Sequence, residues 1–488
     1  MSNKGETTKK AGVSAFDFFC IGFGSIVGVG WAVSINNWMV KCGGPLPAGL
    51  GYILALIMMI PVSLCYCELA PMMPVAGGGM AYSYRAFNEK ISFISGWAAF
   101  GAFVTIIPWE AIYVVDILSI LFPQLKSGDP LYILADTKIY LGHIVLGLIF
   151  SLIIFAINYR GATSSAGAQR ILCILLVGAG ILAMIAALIN FDVKNFEPFY
   201  QNIDPSEYKH NSFFGGSLAI LASAPFFLAG FETIPQAIEE SDGNVTSVGK
   251  TVVMSVGLAC VFYALLLFAL GSAIPWMEFF TLPNPAASNL FKIIYPNAAG
   301  QVLYVIILLG AICGLFTTWN GFMMASPRLM MSMARAYMLP RWLAKEHPKY
   351  GTPVNAMLVC LVLSIAGPFL GNGLIEPLTT FSAAGFVLSW MITSFCVIRL
   401  RKKEPDAHRP YKIPGGSATA WFSAIFMVVI FVLLFVPDNP VSMTKTASIL
   451  FVVWMIVGVL LFLACSGQRK KVSPEDRKAA LFAKVNEQ

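Results

Sequence analysis

Residues 104–120, VTIIPWEAIYVVDILSI, place two carboxylates, Glu110 and Asp116, in a run that carries no other charge. A carboxylate among aliphatic side chains can hold a proton or pair with a cation. Six residues apart on an α-helix, the two acids point about 120° away from each other, so they do not make one paired site. Glu110 follows Pro108, whose missing N–H frees a carbonyl in the preceding turn. Asp116 lies nearer the end of the run. A third acid, Glu232, stands in SLAILASAPFFLAGFETIPQ (217–236) beside Pro225, Gly230 and Pro235. In FTTWNG (316–321), Thr317 and Thr318 offer hydroxyl oxygens of the kind a sodium ion takes, or they bond back to carbonyls of their own helix. Metal and enzyme chemistry find no support. The ten cysteines form no C-x-x-C pair and read as small packing residues, and His143, His210, His347 and His408 are far apart. No nucleophile–base pattern appears, so neither catalysis nor a cofactor is expected. GNVTSVGKT (243–251) puts five residues between Gly243 and Gly249 where a phosphate-binding loop needs four.

The elements that carry these residues are membrane helices. Of 488 residues, 57% are hydrophobic and 12% are charged, about half the charge of a soluble domain. Runs that are uncharged, or nearly so, at 18–40, 42–67, 93–122, 139–159, 171–191, 212–231, 251–277, 293–327, 350–375, 377–398, 413–437 and 446–468 predict twelve spanning helices in an all-α membrane protein. With Lys4, Lys9 and Lys10 in the cytoplasm, alternation puts about 25 of the 32 basic residues inside, including RLRKKEPDAHRPYK (399–412) and RKK (469–471). The expected localisation is therefore the plasma membrane, multi-pass, with both termini cytoplasmic. The net charge of +7 is accounted for by anionic lipid and calls for no nucleic acid. The sequon NVT (244–246) then falls in the cytoplasm, where glycosylation does not occur. The first apolar run is too long for a cleavable signal and lacks its small-residue site.

Two of these spans are interrupted. IGFGSIVGVGWAV (21–33) holds four glycines, and each weakens a helix by about 1 kcal/mol relative to alanine. GSIVG (24–28) alone reads as a close-packing GxxxG pattern. The sixth span, with Pro225, Gly230 and Pro235, adds a second break. Spans 1 and 6 correspond if five helices repeat with inverted topology, and paired breaks at such positions point to a midplane binding site. The second half of span 1 starts near Gly28 with free N–H groups and a positive dipole end, which suits a carboxylate. The first half of span 6 ends between Phe226 and Ala229 with free carbonyls, which suit an ammonium group. The residues expected to be non-helical are 24–28 and about 227–231. Glu232, at the start of the second half of span 6, is read either as a cap of the break or as a coupling carboxylate. Glu68, Glu239 and Glu240 fall at cytoplasmic helix ends and read as structural.

GFGSIVGVGW (22–31), GGPLPAG (43–49), CELAPMMPVAGGGMAYSYRAF (67–87), FLAGFETIPQAIEES (227–241), NGFMMASPRLMMSMARAYMLP (320–340) and RKKEPDAHRPYKIPG (401–415) resemble, in order, motifs of the amino acid–polyamine–organocation transporters. That resemblance implies a LeuT-like fold: a 5+5 inverted repeat with helices 1 and 6 broken, plus two C-terminal helices. The expected division is a cytoplasmic N-terminus (1–13), a first repeat (14–192), an outer loop (193–211), a second repeat (212–399), a basic cytoplasmic loop (400–417), helices eleven and twelve (418–468) and a cytoplasmic tail (469–488). The resemblance further implies that Phe23, Gly24, Ser25 and Ile26 line the carboxylate side, that Phe226 caps the substrate, and that Trp319 stands where some exchangers carry a second gating aromatic. A proton-coupled branch carries a lysine in the fifth helix; residues 171–191 hold none, and Arg170 lies at the edge. The acid after PW resembles the ethanolamine-permease branch. The function expected is a secondary transporter of amino acids or related small amines by alternating access, with a proton or sodium ion as coupling partner. Its alternatives are a permease for an amine without a carboxylate, such as ethanolamine or a polyamine, an amino-acid exchanger, and, least favoured, a nutrient sensor that binds without transporting.

Overall fold

The computed structural model describes residues 12–134, 137–371 and 375–486; the N-terminal lysines lie outside them. Ser14 Oγ accepts the Asp17 N–H and starts α1 (Ala15–Val27), which stops at Gly28. After Gly28 and Val29 the chain resumes as α2 (Gly30–Val33) and α3 (Ile35–Cys42). The left-handed Gly43 turns it into α4 (Pro45–Met72), followed by the short α5 (Gly79–Ala86) and by α6 (Glu89–Leu121), capped by Asn88. A small antiparallel hairpin, β1 (Tyr132–Leu134) with β2 (Thr137–Ile139), leads to α7 (Leu141–Tyr159) and α8 (Ala162–Leu188).

The expected sixth span is broken into pieces: α9 (Phe213–Ala219), a 3-10 turn, α10 (Ala224–Phe227), an irregular stretch Leu228–Glu232, and α11 (Thr233–Ala237). Then come α12 (Val245–Gly271), α13 (Trp276–Phe279), α14 (Ala286–Ile294), α15 (Ala298–Arg335), α16 (Val354–Leu370), α17 (Ile375–Lys403), α18 (Ser417–Phe435), α19 (Lys445–Ala464), α20 (Ser466–Lys470) and α21 (Pro474–Asn486). Among the described residues, ten helical stretches are long and apolar enough to cross a membrane, and Phe213–Ala222 and Val354–Leu370 are shorter apolar stretches. Large aliphatic side chains such as Ile171, Val362 and Leu460 point outward, the arrangement of a protein solvated by lipid.

The interrupted first helix lies at the centre, held by close backbone approach. A Cβ on Gly314 of α15 would sit 2.0 Å from the Gly28 carbonyl oxygen, and one on Gly321 would sit 1.9 Å from Ser25 Oγ. Without a hydrophobic drive between helices in lipid, such small-residue contacts are what bring them together. A buried amide chain adds direction: Asn158 Nδ2 donates to Asn320 Oδ1, Asn320 Nδ2 to Gln169 Oε1, and Gln169 Nε2 to the Thr317 carbonyl. It ties α7, α8 and α15 into one wall beside α1.

One face of the bundle is rich in ion pairs. Glu68 meets Arg401 at 2.5 Å and Arg409 at 3.5 Å, Glu240 meets Arg328 at 2.6 Å, and Arg335 bridges Glu239 and Glu346. Glu239 also accepts the Ala76 N–H, and Gln236 accepts that of Gly77, so the end of the sixth-span segment is stitched to the turn before α5. This is the structural service expected of Glu68, Glu239 and Glu240. On the opposite face the pairs are Asp116–Lys126 and, at 4.0 Å, Lys41–Glu376.

Candidate functional site

Both interruptions exist, and both are shifted from the expected residues. Gly24 to Val27 are helical, and the break falls at Gly28 and Val29. Gly28 adopts φ 45° and ψ −150°, a backbone region that residues with a Cβ avoid, whereas Gly24 keeps helical geometry and serves packing against Gln169 and Thr317. In the sixth-span segment the irregular stretch runs from Leu228 to Glu232, with Gly230 at φ 132°. The two breaks lie back to back: a Cβ on Gly230 would stand 2.6 Å from the Ile26 nitrogen and the Ser25 carbonyl carbon.

Between them and α6 is a small void of about 20 Å³, bordered by Ser25, Ile26, Gly28, Ala229, Glu110, Phe226 and Thr318, with Trp109 and Phe227 also lining it. A space of that size holds one water molecule. Three of the residues on its border carry a buried polar atom with no hydrogen-bond partner among the described residues, Ser25 Oγ, Trp109 Nε1 and Glu110 Oε2; of these, Ser25 Oγ packs against Gly321 of α15. Glu110 Oε1 is 3.9 Å from where a Gly28 Cβ would be, so the carboxylate looks across the void at the start of α2.

The void is sealed unequally. Toward the face carrying Asp116 and Glu376, only aromatic rings intervene: Phe226 lies 5.4 Å from Trp109 and 5.1 Å from Phe227, centre to centre. Beyond Trp109 and Phe227 opens a hollow of about 250 Å³, which shares Asn37, Tyr113, Ile375 and Glu376 with a second of about 440 Å³. Toward the ion-paired face a void of about 10 Å³ lies beside Glu232, Gln236 and Tyr66.

The remaining expected residues divide by position. Phe23 stacks on Phe19 with centroids 5.5 Å apart, Gly24 faces α8, and neither borders the void. Gly230 joins the two breaks from behind. Trp319 is fully buried, donates to Ser364 Oγ at 3.2 Å and stacks on Phe316, again off the void. Glu232 caps the break: Oε2 accepts the Gly230 N–H at 2.8 Å, and Oε1 accepts from Trp390 Nε1. Thr317 Oγ1 donates to Gly314 of its own helix, while Thr318 Oγ1 reaches the Gly24 and Ser25 carbonyls at 3.4 and 3.3 Å.

A family model described as amino acid permease matches residues 13–461. The chain belongs to that family, within the amino acid–polyamine–organocation superfamily. The permease is 24% identical over 478 residues to the branched-chain amino acid permease BcaP of Bacillus subtilis (strain 168), covering 97% of this chain and 96% of the relative. It is 25% identical over 464 residues to a methylthioribose transporter of the same organism, covering 93% of each. With the L-asparagine permease of Escherichia coli (strain K12) it shares 22% over 469 residues, 93% of this chain and 87% of the relative. Sequence reasoning missed several residues of this permease that touch the void or its rim: Val29, Gly30, Ile106, Trp109, Phe227 and Phe322. Trp109 was findable, since it adjoins Glu110. Tyr263, which reaches carbonyls of both interrupted helices, sits in an apolar run with nothing to single it out.

Proposed function

We propose that this permease is a secondary transporter of amino acids that works by alternating access around the void between the two interruptions. In this reading the chain has twelve spans in a 5+5 inverted repeat, with both termini cytoplasmic, so that the wide hollows open outward. The observation that carries it is one void at the junction of two broken helices, bordered by the start of α2 and by Glu110, whose Oε2 is buried and has no hydrogen-bond partner among the described residues. The start of α2 offers N–H groups and a positive dipole end to a carboxylate. Glu110 offers the charge that an ammonium group needs. An α-amino acid carries both groups at the spacing of one carbon, and the void must widen to take it, which is the work of Phe226, Phe227 and Trp109. Glu232 is a cap rather than a ligand here. Relatives named for branched-chain amino acids and for asparagine support amino acids over a carboxylate-free amine.

A thermal-shift screen of the purified permease tests this. A ligand that binds only the folded state raises the unfolding midpoint. At least one α-amino acid should do so, while its decarboxylated amine and its deaminated acid should each fail. An equal shift from the amine alone refutes the two-ended recognition.

A further inference from the structure

Two of the ten cysteines meet beside the first interrupted helix. Cys20 lies on α1 and Cys173 on α8; both are buried, and their thiols are hydrogen-bonded to each other. A thiol is a weak donor and a weak acceptor, so the bond contributes little to stability, yet it sets the two sulfurs against each other. The contact is one rung of several between these helices. One turn earlier on each, Asp17 pairs with Arg170 at 3.3 Å. Gln169 Nε2 reaches the Cys20 carbonyl at 3.5 Å, and a Cβ at Gly24 would stand 3.0 Å from that same nitrogen. The side chain of Arg170 is 49% exposed, so the thiols lie one turn in from a solvent-facing site, within reach of an oxidant as small as peroxide. Among the described residues no other two cysteine thiols are hydrogen-bonded to each other.

We propose that Cys20 and Cys173 are a redox pair whose oxidation latches α1 to α8. Peroxide oxidises one thiol to a sulfenic acid and releases one water; the second thiol then displaces the hydroxyl as another water, and the S–S bond forms. The two sulfurs give up two electrons, the O–O bond of peroxide takes them and breaks, and both thiol protons leave in the waters. The latch acts on an element that is otherwise held only by non-covalent ties. Val13 N–H donates to the Glu240 carbonyl at 2.9 Å, the Val13 carbonyl accepts the Asp242 N–H at 3.2 Å, and the Asp17–Arg170 pair completes the set. At its other end α1 stops at Gly28, whose positive φ frees it to pivot against α2. The effect on function rests on the alternating-access reading: opening toward the ion-paired face parts such ties, and a disulfide does not part. In a reducing compartment the pair stays as thiols, so the permease is arrested only under oxidation.

Reduced wild type in proteoliposomes is treated with hydrogen peroxide, with or without later dithiothreitol. Free thiols are then blocked, and the chain is digested without reduction. Mass spectrometry should find a peptide pair joined through Cys20 and Cys173 that dithiothreitol separates. Uptake of the amino acid found in the screen should fall in proportion to the linked fraction and return on reduction. Cys20→Ser and Cys173→Ser, neither at the void, should take up that amino acid as wild type does and ignore peroxide. Absence of the link in peroxide-treated wild type overturns the proposal, as does a link with unchanged uptake, or equal inhibition of either serine variant. Should neither variant fold, the oxidation–reduction cycle of wild type decides alone. If reduced wild type takes up no amino acid, the transport reading has failed, and the latch is judged by amide protection at residues 15–27: higher protection in the linked protein supports it, and equal protection overturns it.

Discussion

Glu110→Gln separates a working carboxylate from a structural one, because the two roles predict opposite signs in the empty protein. The substitution preserves shape and removes the charge. In the empty structure Oε2 is buried and has no hydrogen-bond partner among the described residues, and no ion pair to Glu110 is found there. A charge buried without a partner costs free energy, so the neutral amide should leave the unfolding midpoint unchanged or raise it. Substrate binding should suffer instead. Truncating one member of a desolvated ion pair costs about 2–5 kcal/mol, and about 1.4 kcal/mol is a factor of ten. The expected loss is about 30-fold at the low end and several thousand-fold at the high end. Calorimetric titration of the amino acid found in the screen gives the affinity, and melting of the same preparation gives the stability. Unchanged affinity together with a lowered midpoint would refute the reasoning: Glu110 would then be satisfied by neighbouring helices and would not receive the ammonium group.

Phe226→Ala removes one ring of the thin seal over the void; substrate exchange in proteoliposomes should become leaky and affinity should fall, and unchanged exchange would make Phe226 ordinary core. Gly230→Ala drives a methyl into the Ser25–Ile26 backbone at 2.6 Å and imposes φ 132° on a residue with a Cβ, so uptake should vanish. Gly243→Ala, where φ is also positive at 106° but the space is open, isolates the backbone strain, about 1–3 kcal/mol, and should retain uptake. His210, in the loop before α9, is pushed below its ordinary value of 6.5 by burial, against the opposing hydrogen bond to the Lys41 carbonyl. Its neutral form therefore stabilises the loop above pH 6.5, and that contribution is lost as pH falls through the lower folded value. Amide protection at residues 200–212, corrected for the intrinsic pH dependence of exchange, should fall over that window in wild type and lose its pH step in His210→Ala.

The helical, membrane-spanning character of the chain was plain in the charge-free runs, because lipid permits few other backbones. Interruption of the first and the sixth expected spans was also legible, since glycine and proline declare themselves locally. Where each break falls was not. Gly24 and Gly28 read alike in sequence, yet Gly24 is a helical packing residue and Gly28 carries the unusual dihedral, and the partners that decide this, Gln169, Thr317 and Thr318, are more than a hundred residues away. Glu110 was marked by being an acid among aliphatics. Ile106 and Phe322 were not, since aliphatic and aromatic side chains lining a void look in sequence like those filling a core. Tyr263 was invisible for the same reason: its hydroxyl matters through three distant carbonyls.

The glycines of α15 limit where the surroundings of the void can vary. With the Gly28 carbonyl 2.0 Å from any Cβ at Gly314, and Ser25 Oγ 1.9 Å from any at Gly321, neither glycine can be enlarged without pushing α1 and its interruption away from α15. The void is edged instead by the side chains of Ile106, Trp109, Phe226 and Phe322, which come from α6, α10 and α15. Variation around the void is therefore open at those four side chains and shut at the two glycines behind the break.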